Sequence, residues 1–172
     1  MAVPMILKTL EETSLSTWFR ESESVFAFYG ILTVHVLALA TIAGLNWFID
    51  LRILGIAREI PLASLKRFFG IIWVAFWLNL ASGLLLILGY PTKELTNPLF
   101  YVKMALIAVG LTVMTQMKNR SFGEVGGNEA ALEAKSAMLA KVSIAVWLFV
   151  IIFGRLLAYT YTYLLYGVAP QH

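Results

Sequence analysis

The 172-residue chain has no cysteine, only two histidines, and charged side chains at 13% of its positions. Without cysteine there are no disulfides, no thiolate metal sites and no cysteine nucleophile, and the redox compartment is left open. The shortage of charge says more. A soluble domain carries about 25% charged and about 45–50% apolar residues, whereas 60% of this chain is hydrophobic and its mean hydropathy is +0.81. A single soluble core of this size cannot shelter that many apolar side chains, so lipid must solvate them. The net charge of +3 is small and sits mostly in connecting segments, which gives no basis for nucleic-acid binding.

Crossing a bilayer takes ~20 mainly apolar residues in a helix, and four runs meet that requirement. They cover about 25–49, 68–90, 98–117 and 142–166, the lengths that helical spans need. Pro91 closes the second run, while Pro98 suits the first turn of the third, with Asn97 as its cap. The short alternating segments of a membrane β-barrel are not seen. The expected fold is therefore an all-α polytopic membrane protein: one domain of 172 residues, with four transmembrane helices in one bundle.

Basic residues set the orientation. The segment between the first two runs holds Arg52, Arg58, Lys66 and Arg67, and the one at 118–141 holds Lys118, Arg120, Lys135 and Lys141. The opposite side has Lys8, Arg20 and Lys93. By the positive-inside rule the first group faces the cytoplasm and both termini face the periplasm of a bacterial inner membrane. The early residues lack a cleavage pattern, so the first run is expected to serve as an uncleaved insertion signal. Before it, Leu15, Trp18, Phe19 and Ser22 share a helical stripe opposite Glu11, Glu12, Arg20 and Glu21. This pattern fits either a short interfacial helix over about 5–22 or an extension of the first span. The stretch 123–128 reads as a glycine-rich turn, and 129–141 as a cytoplasmic helix leading into the fourth span.

Ionisable groups inside a bilayer are costly and raise a functional question by default. Here they are His35 near mid-membrane in the first run, Lys103 about one turn into the third, and Arg155 around mid-depth in the fourth. Asn46 and Asn79 add polar groups at intermediate depths. Lys103 is expected to snorkel outward. Arg155 has no carboxylate at its own depth and keeps its proton, so a rim carboxylate (Glu21, Glu23 or Glu94), a lipid phosphate, a haem propionate or a partner's carboxylate must compensate it. His35 is the one candidate metal ligand, for haem iron. Bis-histidine ligation within one bundle is disfavoured, since the other histidine, His172, ends the chain. A five-coordinate haem, a His35–Met104 pair, ligation shared with a partner, and a histidine hydrogen-bonded to a neighbouring helix all stay open. Asp50, Arg52 and Asn79 are read as structural or partner-contact residues. Ala40-x-x-x-Gly44 admits a close helix contact.

Several of these residues stand in an ordered pattern: Phe19-Arg20-Glu21-Ser22, Val34-His35-Val36-Leu37-Ala38-Leu39, and Asp50-Leu51-Arg52-Ile53-Leu54-Gly55. Ser82-Gly83-Leu84-Leu85, Asn97-Pro98-Leu99-Phe100-Tyr101-Val102-Lys103 and Gly154-Arg155 follow. From Leu15 to Tyr159 the chain resembles an uncharacterised bacterial family of four-helix integral membrane proteins. The resemblance implies the fold, points at His35, Asp50, Arg52, Lys103 and Arg155, and supplies no activity.

The sequence contains no nucleotide loop, zinc signature or nucleophile elbow, and no catalytic residue is assigned. The expected function is a non-catalytic accessory subunit that packs against other membrane subunits or its own copies, with bound lipid. One alternative is a b-type haem electron carrier in which His35 ligates haem b and Lys103 and Arg155 lie near the propionates. The other is a small transporter or channel subunit lined by His35 and Arg155.

Overall fold

The computed structural model describes residues 5–22, 24, 27–122 and 129–166; the expected turn at 123–128 and the terminal His172 lie outside them. All regular structure among the described residues is helical. Two short helices, α1 (Met5–Glu11) and α2 (Ser14–Glu21), precede α3 (Phe28–Ile53). A single turn, α4 (Leu62–Leu65), leads into α5 (Phe68–Gly89), and α6 (Pro91–Leu95) links that helix to α7 (Pro98–Phe122). The last helix, α8, runs unbroken from Glu129 to Tyr166.

Four stretches are long and apolar enough to cross a membrane: Phe28–Ile53, Leu62–Gly89, Pro98–Asn119 and Ser136–Thr160. They correspond to the four expected runs with shifted ends. The 129–141 segment and the fourth run form one helix, since nothing between Lys135 and Ser143 is glycine or proline. α3 packs on α5 and α8, and α7 packs on α8. The shared core includes Ile42, Ile49, Phe69, Ile72, Met114, Met117, Trp147 and Val150.

Helix ends follow local chemistry. Asn97 caps α7: its Oδ1 accepts the Leu99 amide at 3.0 Å, and its Nδ2 donates to Thr160 Oγ1 at 2.9 Å, which ties α7 to α8. α3 closes at Gly55, where φ is +94°, a value that suits a residue without Cβ. There the Gly55 amide reaches the Arg52 carbonyl at 3.1 Å and the Ile56 amide reaches that of Leu51 at 3.0 Å, the paired bonds of a Schellman closure.

The expected N-terminal helix is two helices. Thr13 breaks the run and caps α2 by accepting the Ser16 amide at 3.4 Å. Trp18 is exposed, and the buried anchor is Ser16, whose hydroxyl donates to the Gly89 carbonyl at 3.2 Å. The side chains of Leu15 and Phe19 lie outside the described residues. Thr92 donates to Glu11 Oε2 at 2.5 Å, joining α6 to α1. These short helices therefore sit at the end of the bundle that carries Gly89 and Asn97, called here the terminal end. The other end, with the 54–67 segment, is the loop end.

Candidate functional site

Polar groups collect in two places inside the bundle. The first lies toward the terminal end, between α3 and α5. His35 Nδ1 lies 3.0 Å from the Asn79 carbonyl and 3.1 Å from Ser82 Oγ, and Asn79 Nδ2 donates back to the His35 carbonyl at 2.8 Å. Ser82 also donates to the Leu78 carbonyl at 2.7 Å, so its oxygen is left to accept. These contacts hold the hydrogen on Nδ1, since a carbonyl can only accept. The imidazole lies against Gly83, where a Cβ would come within 3.1 Å of Cε1. His35 is thus hydrogen-bonded to a neighbouring helix, and its Nε2 has no bond among the described residues.

Lys103 lies close by on α7. Its stem crosses Gly154, with Cδ 3.9 Å from where a Cβ would stand, and its ammonium sits over the Phe100 ring at 5.6 Å. Phe100 is nearly one turn nearer the terminal end, so the side chain runs outward as a snorkelling lysine does. Its charge acts on His35 on one side and on Glu94 of α6 on the other. Burial raises the Glu94 carboxyl above its ordinary value, and the nearby charges of Lys103 and Lys93 oppose that rise.

Arg155 does not join this group. It is exposed, and its guanidinium stacks on Tyr159 at 4.8 Å. Its neighbour Gly154, rather than Arg155 itself, faces Lys103. Met104 is also exposed, on the outside of α7, so an intramolecular His35–Met104 ligand pair is not built. No group of three or more metal-binding side chains occurs among the described residues. Of the rim carboxylates, the Glu21 side chain and all of Glu23 lie outside the described residues, and Glu94 faces Lys103.

The second collection lies toward the loop end. Asp50 is fully buried, with both carboxylate oxygens unbonded, and the Ser143 hydroxyl of α8 is buried and unbonded beside it. Ser143 is near enough to act on Asp50 without closing a hydrogen bond. Asn46 is one turn back along α3 and donates to the Ile42 carbonyl at 2.8 Å. Trp47 Nε1 donates to the Ile144 carbonyl at 3.3 Å, fixing α3 against α8 at this level. Arg52, also buried, turns away to the carbonyls of Ile60 and Arg58, the latter at 3.2 Å, and clasps the segment that follows α3.

His35, Asn46 and Asp50 fall near one face of α3, at successive offsets of 11 and 4 residues, close to whole turns. Buried Ala38, Ile42 and Ala43 separate His35 from the other two with an apolar layer. Glu94 is expected as a rim carboxylate for Arg155 and instead faces Lys103, while the sequence assigns no polar role to Ser82, Ser143 or Gly154. Ser143 had a signal, as a serine among apolar residues one helical turn from Trp147. Ser82 and Gly154 show their roles only through contacts between helices.

The fold defines the chain as a polytopic helical membrane bundle with two internal polar clusters. No family model matches the sequence, and no match was found among the curated proteins or the solved structures.

Proposed function

We propose that this protein is a non-catalytic subunit of a larger membrane assembly. The observation that carries this reading is Trp77. It lies near the middle of the second span, about 18 Å along the helix from Gly89, and is 60% exposed. Tryptophan favours the membrane–water interface, and an indole N–H facing hydrocarbon lacks the hydrogen bond it has in water. Trp77 packs edge-on against Phe76 at 5.5 Å and has no hydrogen-bond acceptor among the described residues. A helix of another subunit supplies both an acceptor and a packed surface. On α3, Ala40 and Gly44 are also exposed, and nothing approaches the Gly44 Cβ position within 4 Å. Such a small-residue face suits close approach by another helix. The excess of Lys and Arg at the loop end supports its placement in the cytoplasm, with both termini in the periplasm of a bacterial inner membrane. Lipid covers the apolar faces that remain.

A photo-crosslinking residue at position 77, activated in native membranes, tests this. The expected product is a discrete adduct with another membrane protein. An adduct only with a second copy would replace the accessory role by self-assembly, and adducts with lipid alone would overturn the reading.

One observation favours b-type haem binding as a second reading. Metal-ligating histidines usually donate their other ring N–H to a carbonyl or carboxylate, and His35 Nδ1 is held that way by Asn79. A reduced-minus-oxidised absorption spectrum of natively purified protein, with His35→Ala beside it, decides the matter. A haem band lost in the variant supports ligation, and a flat spectrum in both removes it.

A further inference from the structure

Asp50 presents a problem of charge. Its carboxyl is 0% exposed, and neither oxygen has a hydrogen-bond partner among the described residues. Ser143 Oγ, on the facing helix, is also 0% exposed and unbonded. Buried polar groups in native proteins are nearly always satisfied, and an uncompensated buried charge costs several kcal/mol.

The surrounding charges do not answer it. On α3 itself, Arg52 is turned toward the Arg58 and Ile60 carbonyls. On α7, Lys118 sits over the Phe69 ring at 6.0 Å. Arg67, at the start of α5, stacks on Phe68 at 5.2 Å, while Lys66 beside α4 and Lys141 on α8 are exposed. The facing helix presents a hydroxyl to the carboxyl, not a cation.

We propose that Asp50 and Ser143 form a buried site for one exchangeable monovalent cation, a proton or Na⁺, at the seam between α3 and α8. One carboxylate matches one positive charge. The donors are hard oxygens from two helices, so an occupant bridges the seam and stabilises the bundle. A divalent ion would leave a net positive charge buried in the seam, which is costly without a second carboxylate. Asn46, one turn away, is also buried, with its amide donating to the Ile42 carbonyl at 2.8 Å. The site is independent of the outward faces on which the subunit reading rests.

The test is thermal unfolding of the full chain in lipid nanodiscs, with NaCl against choline chloride at equal ionic strength, across a pH series. Wild type is compared with Asp50→Asn, which keeps the shape and removes the charge. A wild-type midpoint raised by about 2–4 °C in NaCl, absent in Asp50→Asn, identifies Na⁺. A midpoint that falls with rising pH, indifferent to Na⁺ and flattened in Asp50→Asn, identifies the proton. Identical responses of the two proteins to both variables overturn the proposal. If Asp50→Asn does not fold, Ser143→Ala replaces it. That variant keeps the carboxyl and must shift the Na⁺ response or the pH midpoint; an unchanged response overturns the site.

Discussion

His35 and Asn79 bond to each other twice, each taking the other's main-chain carbonyl: Nδ1 of His35 at 3.0 Å from Asn79 O, and Nδ2 of Asn79 at 2.8 Å from His35 O. The exchange fixes the rotation of α3 relative to α5 at one level, whatever else the imidazole does. Hydrogen bonds between membrane helices contribute about 0.6 kcal/mol on average and about 1.7 at most. Asn79→Leu and His35→Phe are each expected to destabilise the bundle within that range. Each substitution removes one of the two bonds and leaves the other, because both acceptors are main-chain carbonyls, so the double variant should lose the whole clasp and cost more than either single one. Unfolding of the four proteins in mixed detergent measures this, and a double variant no less stable than either single one would contradict it.

Arg52 is the clasp of the loop end. Replacing it with leucine strips partners from two carbonyls, those of Arg58 and Ile60, and should cost about 1–3 kcal/mol. Hydrogen exchange of the 55–61 segment is the direct readout, and protection there should fall. Arg52→Lys restores the charge but not the planar fork, and should rescue little.

Glycines separate into two kinds. At Gly110 an added Cβ would stand 3.1 Å from Trp147 Cζ2 and 3.3 Å from Val146 Cγ1, against the core. Gly110→Ala should therefore destabilise by about 1–3 kcal/mol through overpacking. Nothing lies within 4 Å of the corresponding point at Gly44 or Gly70, and alanine there should be neutral or slightly stabilising in the isolated protein. Thermal midpoints of the three variants in one detergent check the contrast.

Glu94 gives the terminal end a pH response of definite sign. Its folded-state value is raised above the ordinary 4.5 by burial, with Lys103 and Lys93 opposing. The folded chain therefore holds this proton more tightly than the unfolded chain. Its contribution is fully present below the ordinary carboxylate value and is lost as pH climbs through the raised one. Glu94→Gln should flatten that part of the stability profile. A profile unchanged by the substitution would show that the carboxyl is not the source.

The four spans were legible because each is a long apolar run, and the α7 cap because Asn97-Pro98 is a local signal that needs no partner. The polar clusters were legible only as isolated residues. His35 and Asn79 stand out in apolar surroundings, yet nothing local says that α3 meets α5 at that level. For the same reason Arg155 was placed with Lys103, although one step of about 100° around α8 gives the facing position to Gly154 and turns Arg155 toward Tyr159. Asp50 showed its charge in the sequence but not its isolation, which depends on where Arg52 turns.

The unbroken α8 has a mechanical consequence. Its 38 residues extend about 57 Å, nearly twice the ~30 Å hydrocarbon layer, and it carries both Ser143 and Gly154. Because no break interrupts the helix, a displacement at its end near Glu129 is carried along it toward Ser143 and Gly154. A small sideways force outside the membrane is then delivered at two depths within it, against the Asp50 carboxyl at one and beneath the Lys103 stem at the other.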